Sequence, residues 1–158
     1  MRLQDQIIEE TRNAMDEVFR YARAVPEDRV EWMPAESARS VLAQCKELAK
    51  CADWSVEVLE TGTLSFEPDP ASEAEQGALK TVADCERLAR EKLDRFYEFA
   101  RTYPDEKMMA TTDLPFGPGG AMRTLTMAEM MRYPRWNAVY HLGQIAYIQT
   151  LYGDREMH

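Results

Sequence analysis

A chain of 158 residues in which aliphatic, aromatic and sulfur side chains make up 45% can build one domain with a sizeable core. Its formal net charge is -9, and no Lys/Arg cluster along the sequence acts against that sign. Such a surface repels phosphate backbones and anionic headgroups, so neither nucleic acid nor membrane is an expected partner.

The opening residues Met1–Gln6 lack an apolar signal core, and no run approaches the length of a bilayer span. Three cysteines, Cys45, Cys51 and Cys85, fall within helical patterns. Cys45 and Cys51 are six apart, on different sides of a helix, and no cysteine pair has zinc-ligand spacing. A cytoplasmic, disulfide-free single domain over residues 1–158 is expected.

Four long helical patterns dominate. Leu3, Ile7, Ala14, Val18, Ala22 and Val25 mark a buried stripe, and Pro26 ends that first helix. After a linker holding Trp32-Met33-Pro34, Ser37 is the expected cap of a second helix over roughly 38–60. One of its faces carries Val41, Cys45, Leu48, Ala52, Val56 and Leu59. A second stripe of Gln44, Glu47, Cys51, Trp54 and Val58 lies nearly opposite, so this helix is expected to be covered on two sides.

Gly62 stops it, and residues 61–71, with Pro68 and Pro70, form a long connection. Ser72 is the expected cap of a third helix ending near Arg101. Its core face reads Leu79, Val82, Ala83, Leu93, Phe96, Tyr97 and Ala100, with Glu86 in the middle. A carboxylate there calls for an arginine partner or a slightly rotated helix.

Residues 102–125 read as irregular, and Leu114-Pro-Phe-Gly-Pro-Gly-Gly120 as a turn. Thr126-Met-Ala-Glu129 is a capping box that opens a fourth helix running to about Tyr152. Pro134 should kink or divide it, and Gly153 supplies a left-handed stop. With no convincing period-2 runs, the fold class is all-α, a four-helix bundle.

The segment Asn137-Ala-Val-Tyr-His141 carries the candidate chemistry. His141 is one of only two histidines, and the other is the terminal His158. At about 100° per residue, Met130, Asn137, His141, Ile148 and Leu151 project to one side of the fourth helix. Asn137 and His141, four apart, present two groups to one point, as helical metal sites do. Imidazole suits zinc, nickel or iron, whereas an amide oxygen is a weak ligand. Trp136, Tyr140 and Tyr147 line another side, and suit either bundle packing or a homodimer interface.

Three stretches together resemble the DinB-like (damage-inducible) family. They are Trp32-Met-Pro, Ser40-Val-Leu-Ala-Gln-Cys-Lys-Glu47-Leu-Ala and Asn137-Ala-Val-Tyr-His141-Leu-Gly-Gln144-Ile, in order and spacing over nearly the whole chain. The resemblance implies an up-down-down-up four-helix bundle, often dimeric. It also implies a divalent metal held by one histidine on the second helix and two on the fourth. Relatives include mycothiol-dependent maleylpyruvate isomerases and bacillithiol transferases, in which the metal activates a low-molecular-weight thiol.

Mapped by position, the ligand set becomes Glu47, Asn137 and His141, of which only His141 keeps the family identity. The resemblance therefore implies a divalent-metal-dependent enzyme of thiol-transferase or hydrolase type, acting on a small molecule. The ion would be Zn, Ni, Mn or Fe, and the Glu/Asn/His set favours the harder Mn or Fe. Without metal, Glu47 and His141 would form a charge-assisted pair in a polar pocket, or an acid–base pair. The alternative function is then a non-catalytic binding protein whose metal site has degenerated.

Overall fold

A computed structural model describes residues 1–67 and 69–158; Pro68, expected in the long connection, lies outside them. The four helical lines are present, and two of them are broken. Helix α1 spans Leu3–Ala24 and ends at Pro26 as its missing donor requires. The second line is split into α2 (Val41–Leu48) and α3 (Cys51–Thr61). The third is α5 (Val82–Thr102), preceded by a separate short helix, α4 (Pro70–Ala78). The fourth is split into α6 (Met127–Met131) and α7 (Tyr133–Leu151).

Several expected boundaries move. Ser40, not Ser37, caps the second line, with its hydroxyl accepting from the Ala43 N–H at 3.1 Å. Ser72 caps nothing. Asp69 caps α4, and Thr81 caps α5 through a reciprocal box with Asp84. The expected stops hold: Gly62 (φ 73°) closes α3, and Gly153 (φ 98°) follows the end of α7.

Residues 102–125 are not wholly irregular. Strand β1 (Thr111–Leu114) pairs antiparallel with β2 (Arg123–Thr126), from Thr111 opposite Thr126 to Leu114 opposite Arg123. Each four-residue strand buries a single leucine, Leu114 or Leu125, too few positions to show an alternating pattern. The hairpin lies against the bundle, where the Thr112 hydroxyl donates to the Gly62 carbonyl at 2.5 Å.

Line α1 packs against α5 and α7, and the α2–α3 line packs against the same two. The first and second lines, and the third and fourth, thus face each other across the bundle, which takes the long connections found here, while the second and third are neighbours. The core holds Ile7, Met15, Phe19, Leu48, Leu93, Phe96, Met130, Met131 and Ile145, all fully buried. Both stripes of the second line are covered, as expected, with Cys45 and Leu48 buried on one and Gln44, Cys51 and Val58 on the other.

α5 is rotated from its expected setting. Ala83 is exposed, while Cys85, Leu88 and Ala89 are buried, and Glu86 moves to the rim. Burial works against that carboxylate, but Arg23 (2.6 Å) and Arg90 (3.0 Å) outweigh it and hold its pKa below the usual range. Lys92 is the buried charge of α5, gripped by Asp53 of α3 at 2.6 Å and Glu75 of α4 at 2.5 Å.

Pro134 explains the second break. With no N–H, it leaves the Met130 carbonyl four residues back without a helical donor. The buried Ser55 hydroxyl of α3 fills that vacancy at 2.6 Å. An unpaired carbonyl there would cost roughly 1–3 kcal/mol. At the other end of α6, Thr126 and Glu129 form the expected capping box, each side chain accepting from the other's backbone N–H. Thr126→Ala should lower unfolding stability by about 1 kcal/mol, read as a shift in urea midpoint without a change in slope.

Candidate functional site

α2 and α7 bring Glu47, Asn137 and His141 together. Asn137 and His141 are fully buried, and the Glu47 side chain is 22% exposed. The Asn137 Nδ2 donates to Glu47 Oε1 at 3.0 Å, and His141 Nε2 lies 3.2 Å from the same oxygen. The other members of the expected stripe are buried except Leu151, which is exposed as the last residue of α7. The terminal His158 is remote in role, paired with Asp154 at 2.8 Å.

Three residues not expected in the site complete it. Gln44 Oε1 sits 2.9 Å from His141 Nδ1. The Gln44 amide is oriented by its own NH₂, which donates to the Arg39 carbonyl at 3.3 Å. Oε1 therefore faces the ring and accepts, so Nδ1 carries the proton. Nε2 is then the ring nitrogen that faces Glu47, inside a buried site. Despite its nearness to Glu47, it lacks a properly directed hydrogen bond, as does Asn137 Oδ1.

Arg39 donates to the other carboxylate oxygen, Glu47 Oε2. Tyr133, four residues before Asn137, places its hydroxyl 3.5 Å from the Asn137 Nδ2. Gln44 could have been found by spacing, since it shares the polar stripe of α2 with Glu47. Tyr133 likewise continues the i, i+4 series through Asn137 to His141. Arg39 lies ahead of α2, where no helical period applies.

The contact with His141, aided by Asn137 and Arg39 and opposed by burial, holds the Glu47 carboxyl at about 2, against an ordinary 4.5. It is ionised. Burial, with Glu47 nearby, pushes the Tyr133 phenol up to about 12, so it remains an O–H donor. Burial also raises the pKa of all three cysteines, which are free thiols and poor nucleophiles here.

The site offers an ionised carboxylate oxygen from α2 and, one turn apart on α7, an imidazole nitrogen and an amide group. Two ligands at about 2.1 Å from one ion, 90° to 109° apart, stand about 3.0–3.4 Å from each other. The Nε2–Oε1 distance of 3.2 Å falls inside that range. Arg39 on Oε2 leaves Oε1 to Asn137 and His141, the arrangement an outer-shell partner would give. These residues fit one divalent ion. Among the described residues no three His, Cys, Asp or Glu side chains converge, so a third protein ligand would have to be Asn137.

Two clefts lie near. One of about 500 Å³ is lined by Phe116, Arg123, Glu129, Arg132, Arg135, Trp136 and the site residue Tyr133. A larger one of about 660 Å³, lined by Asp53, Glu57, Glu73, Glu75 and Lys92, includes none of Glu47, Asn137 or His141.

The ionised state of Glu47 sets an acid limb. Its folded pKa is depressed, so its stabilisation is complete above pH 4.5 and is lost as the pH falls toward 2. Glu47→Gln should cost about 1–3 kcal/mol at neutral pH, a gap that closes at the acid end. Paired urea titrations across that pH range check it; a constant gap would show that the charge contributes nothing.

The sequence matches no protein-family model and no curated protein. Solved structures carry the likeness instead. A DinB-like protein from Bacillus subtilis superposes at a TM-score of 0.63 with 16% identity, covering 95% of this chain and 94% of its own. YfiT from Bacillus subtilis, described as a probable metal-dependent hydrolase with an unusual four-helix bundle topology, gives 0.71 at 12% identity over 95% and 87%. A mycothiol-dependent maleylpyruvate isomerase gives 0.61 at 13% identity, covering 92% of this chain and 61% of that one.

Proposed function

We propose that this chain, whose fold is DinB-like, is a divalent-metal-dependent enzyme of hydrolase or thiol-transferase type acting on a small molecule. The observation that carries this reading is the buried, unsatisfied Nε2 of His141, 3.2 Å from an ionised carboxylate oxygen. Two electron-rich atoms at that distance repel unless a cation, either a proton or a metal ion, lies between them. The described activity of YfiT and the thiol dependence of the isomerase support the choice of chemistry.

Glu47 Oε1 and His141 Nε2 would be the principal ligands, with Asn137 Oδ1 as the third. A half-turn of the Asn137 amide exchanges its ends. It would bring Oδ1 toward the shared point, where the Tyr133 hydroxyl could donate to it. The neutral amide favours Mn or Fe over Zn or Ni. When bound, the ion would lower the pKa of a coordinated water or thiol. Gln44 fixes the ring tautomer, Arg39 holds Oε2 and orients Oε1, and Tyr133 keeps a proton available at the rim. A metal-free polar pocket is the competing reading, favoured by the Arg39–Glu47 pair.

Elemental analysis of untagged protein after loading with each ion should find about one equivalent, abolished in His141→Ala with the fold retained. No stoichiometric metal under any loading would end the enzyme reading. Gln44→Leu should weaken binding by about 10–100-fold, the usual effect of removing an outer-shell partner.

We also propose that the chain is a homodimer through the outer face of α7. Val139, Tyr140, Tyr147 and Leu151 are exposed there, so they do not serve bundle packing. Sedimentation should show a dimer that Tyr147→Glu shifts toward monomer; a monomer at all concentrations would refute it.

A further inference from the structure

The 500 Å³ cleft beside Tyr133 has a sign opposite to that of the protein. Three arginines line it: Arg123 from β2, Arg132 from the α6–α7 junction and Arg135 from the first turn of α7. The chain as a whole carries a net charge of -9. A single carboxylate, Glu129, lines the same cleft, and it is already committed. Its Oε2 accepts from the backbone N–H and hydroxyl of Thr126, and its Oε1 is only 3.8 Å from Arg123. Arg135 has a loose partner in Glu10 at 3.5 Å. Arg132 is half-buried and makes no ion pair among the described residues.

A row of stacked aromatic rings also borders the cleft. Phe116 stacks on Tyr133 with ring centroids 6.0 Å apart and planes 22° apart. Tyr133 stacks in turn on Trp136 at 5.8 Å and 26°. Guanidinium groups bind carboxylates through paired, directional N–H donors, and stacked rings bind planar apolar bodies. The same Tyr133 reaches the Asn137 amide of the site at 3.5 Å.

We infer that this cleft binds a small, planar organic anion, with its carboxylate on Arg132 and Arg123 and its flat body against Phe116, Tyr133 and Trp136. Calling that anion the substrate rests on the proposed function; the binding itself does not. A cleft of this volume admits a one- or two-ring carboxylic acid and excludes a polymer. The acidic exterior repels anions elsewhere, so selectivity comes from the three arginines collected in one place.

Calorimetric titration of the metal-free protein with 2-naphthoate, its neutral isostere 2-naphthamide, and acetate tests this directly. Naphthoate should bind saturably, with the amide and acetate at least about tenfold weaker, the factor that one lost charge-assisted hydrogen bond carries. Arg132→Gln should weaken naphthoate about tenfold and leave the amide unchanged. Arg123→Gln, at an exposed strand position, should act in the same direction should the first variant fold poorly. Equal affinity for acid and amide, no naphthoate binding, or wild-type affinity in a folded arginine variant would each overturn the inference. Folded His141→Ala should retain naphthoate; loss there would place the anion on the buried site instead and overturn it as well. Failure of the metal reading shows only in the elemental analysis, so the two can fail separately.

Discussion

Pro134 has no N–H to give, and the functional half of this molecule is arranged around that absence. The missing donor breaks the fourth line at Arg132 and frees the Met130 carbonyl, which Ser55 of α3 takes up. One hydrogen bond thereby pins the broken fourth line to the second. The site residues of α7, Tyr133, Asn137 and His141, begin at its first residue and follow four apart. The break also turns Arg132 and Arg135 toward the hairpin, where Arg123 meets them in a common cleft. A continuous helix would keep its own hydrogen bonds and leave Ser55 with no carbonyl to serve.

The second line is broken as well, just after the site. α2 ends at Leu48, and α3 restarts at Cys51, whose thiol donates to the Leu48 carbonyl at 3.2 Å. Glu47 thus projects from the last turn of a short helix, with Arg39 folded back from before its start. Both lines that carry the site are interrupted within about two turns of it. The remaining lines, α1 and α5, run unbroken and supply the apolar wall.

Electrostatically the site is a small balanced system within an acidic protein. Glu47 is ionised, and Arg39 neutralises one of its oxygens while Asn137 and His141 address the other. The donor and acceptor roles propagate from a backbone carbonyl. Arg39 O orients the Gln44 amide, Gln44 accepts from Nδ1, and Nε2 is left to face Glu47. Buried polar atoms without a directed partner, as His141 Nε2 and Asn137 Oδ1 are, cost stability and mark a candidate functional site.

Much of this was legible in the sequence. Apolar period, Pro26, Gly62, Pro134 and the Thr126–Glu129 box determined the helical lines and most of their ends, because backbone donors and dihedrals are local properties. The pairing of Asn137 with His141 was legible for the same reason, since i, i+4 spacing on one helix needs no tertiary knowledge. The β-hairpin was not, because two strands with one buried leucine each leave no period. Ser40 rather than Ser37 as cap, and the rotation of α5 that exposes Ala83, were decided by which face the neighbouring helices cover. Gln44 against His141, Arg39 against Glu47, and three arginines drawn from separate elements into one cleft were decided by tertiary structure alone. Contacts between residues 8 to 97 apart depend on how the lines pack, and no local pattern encodes that distance.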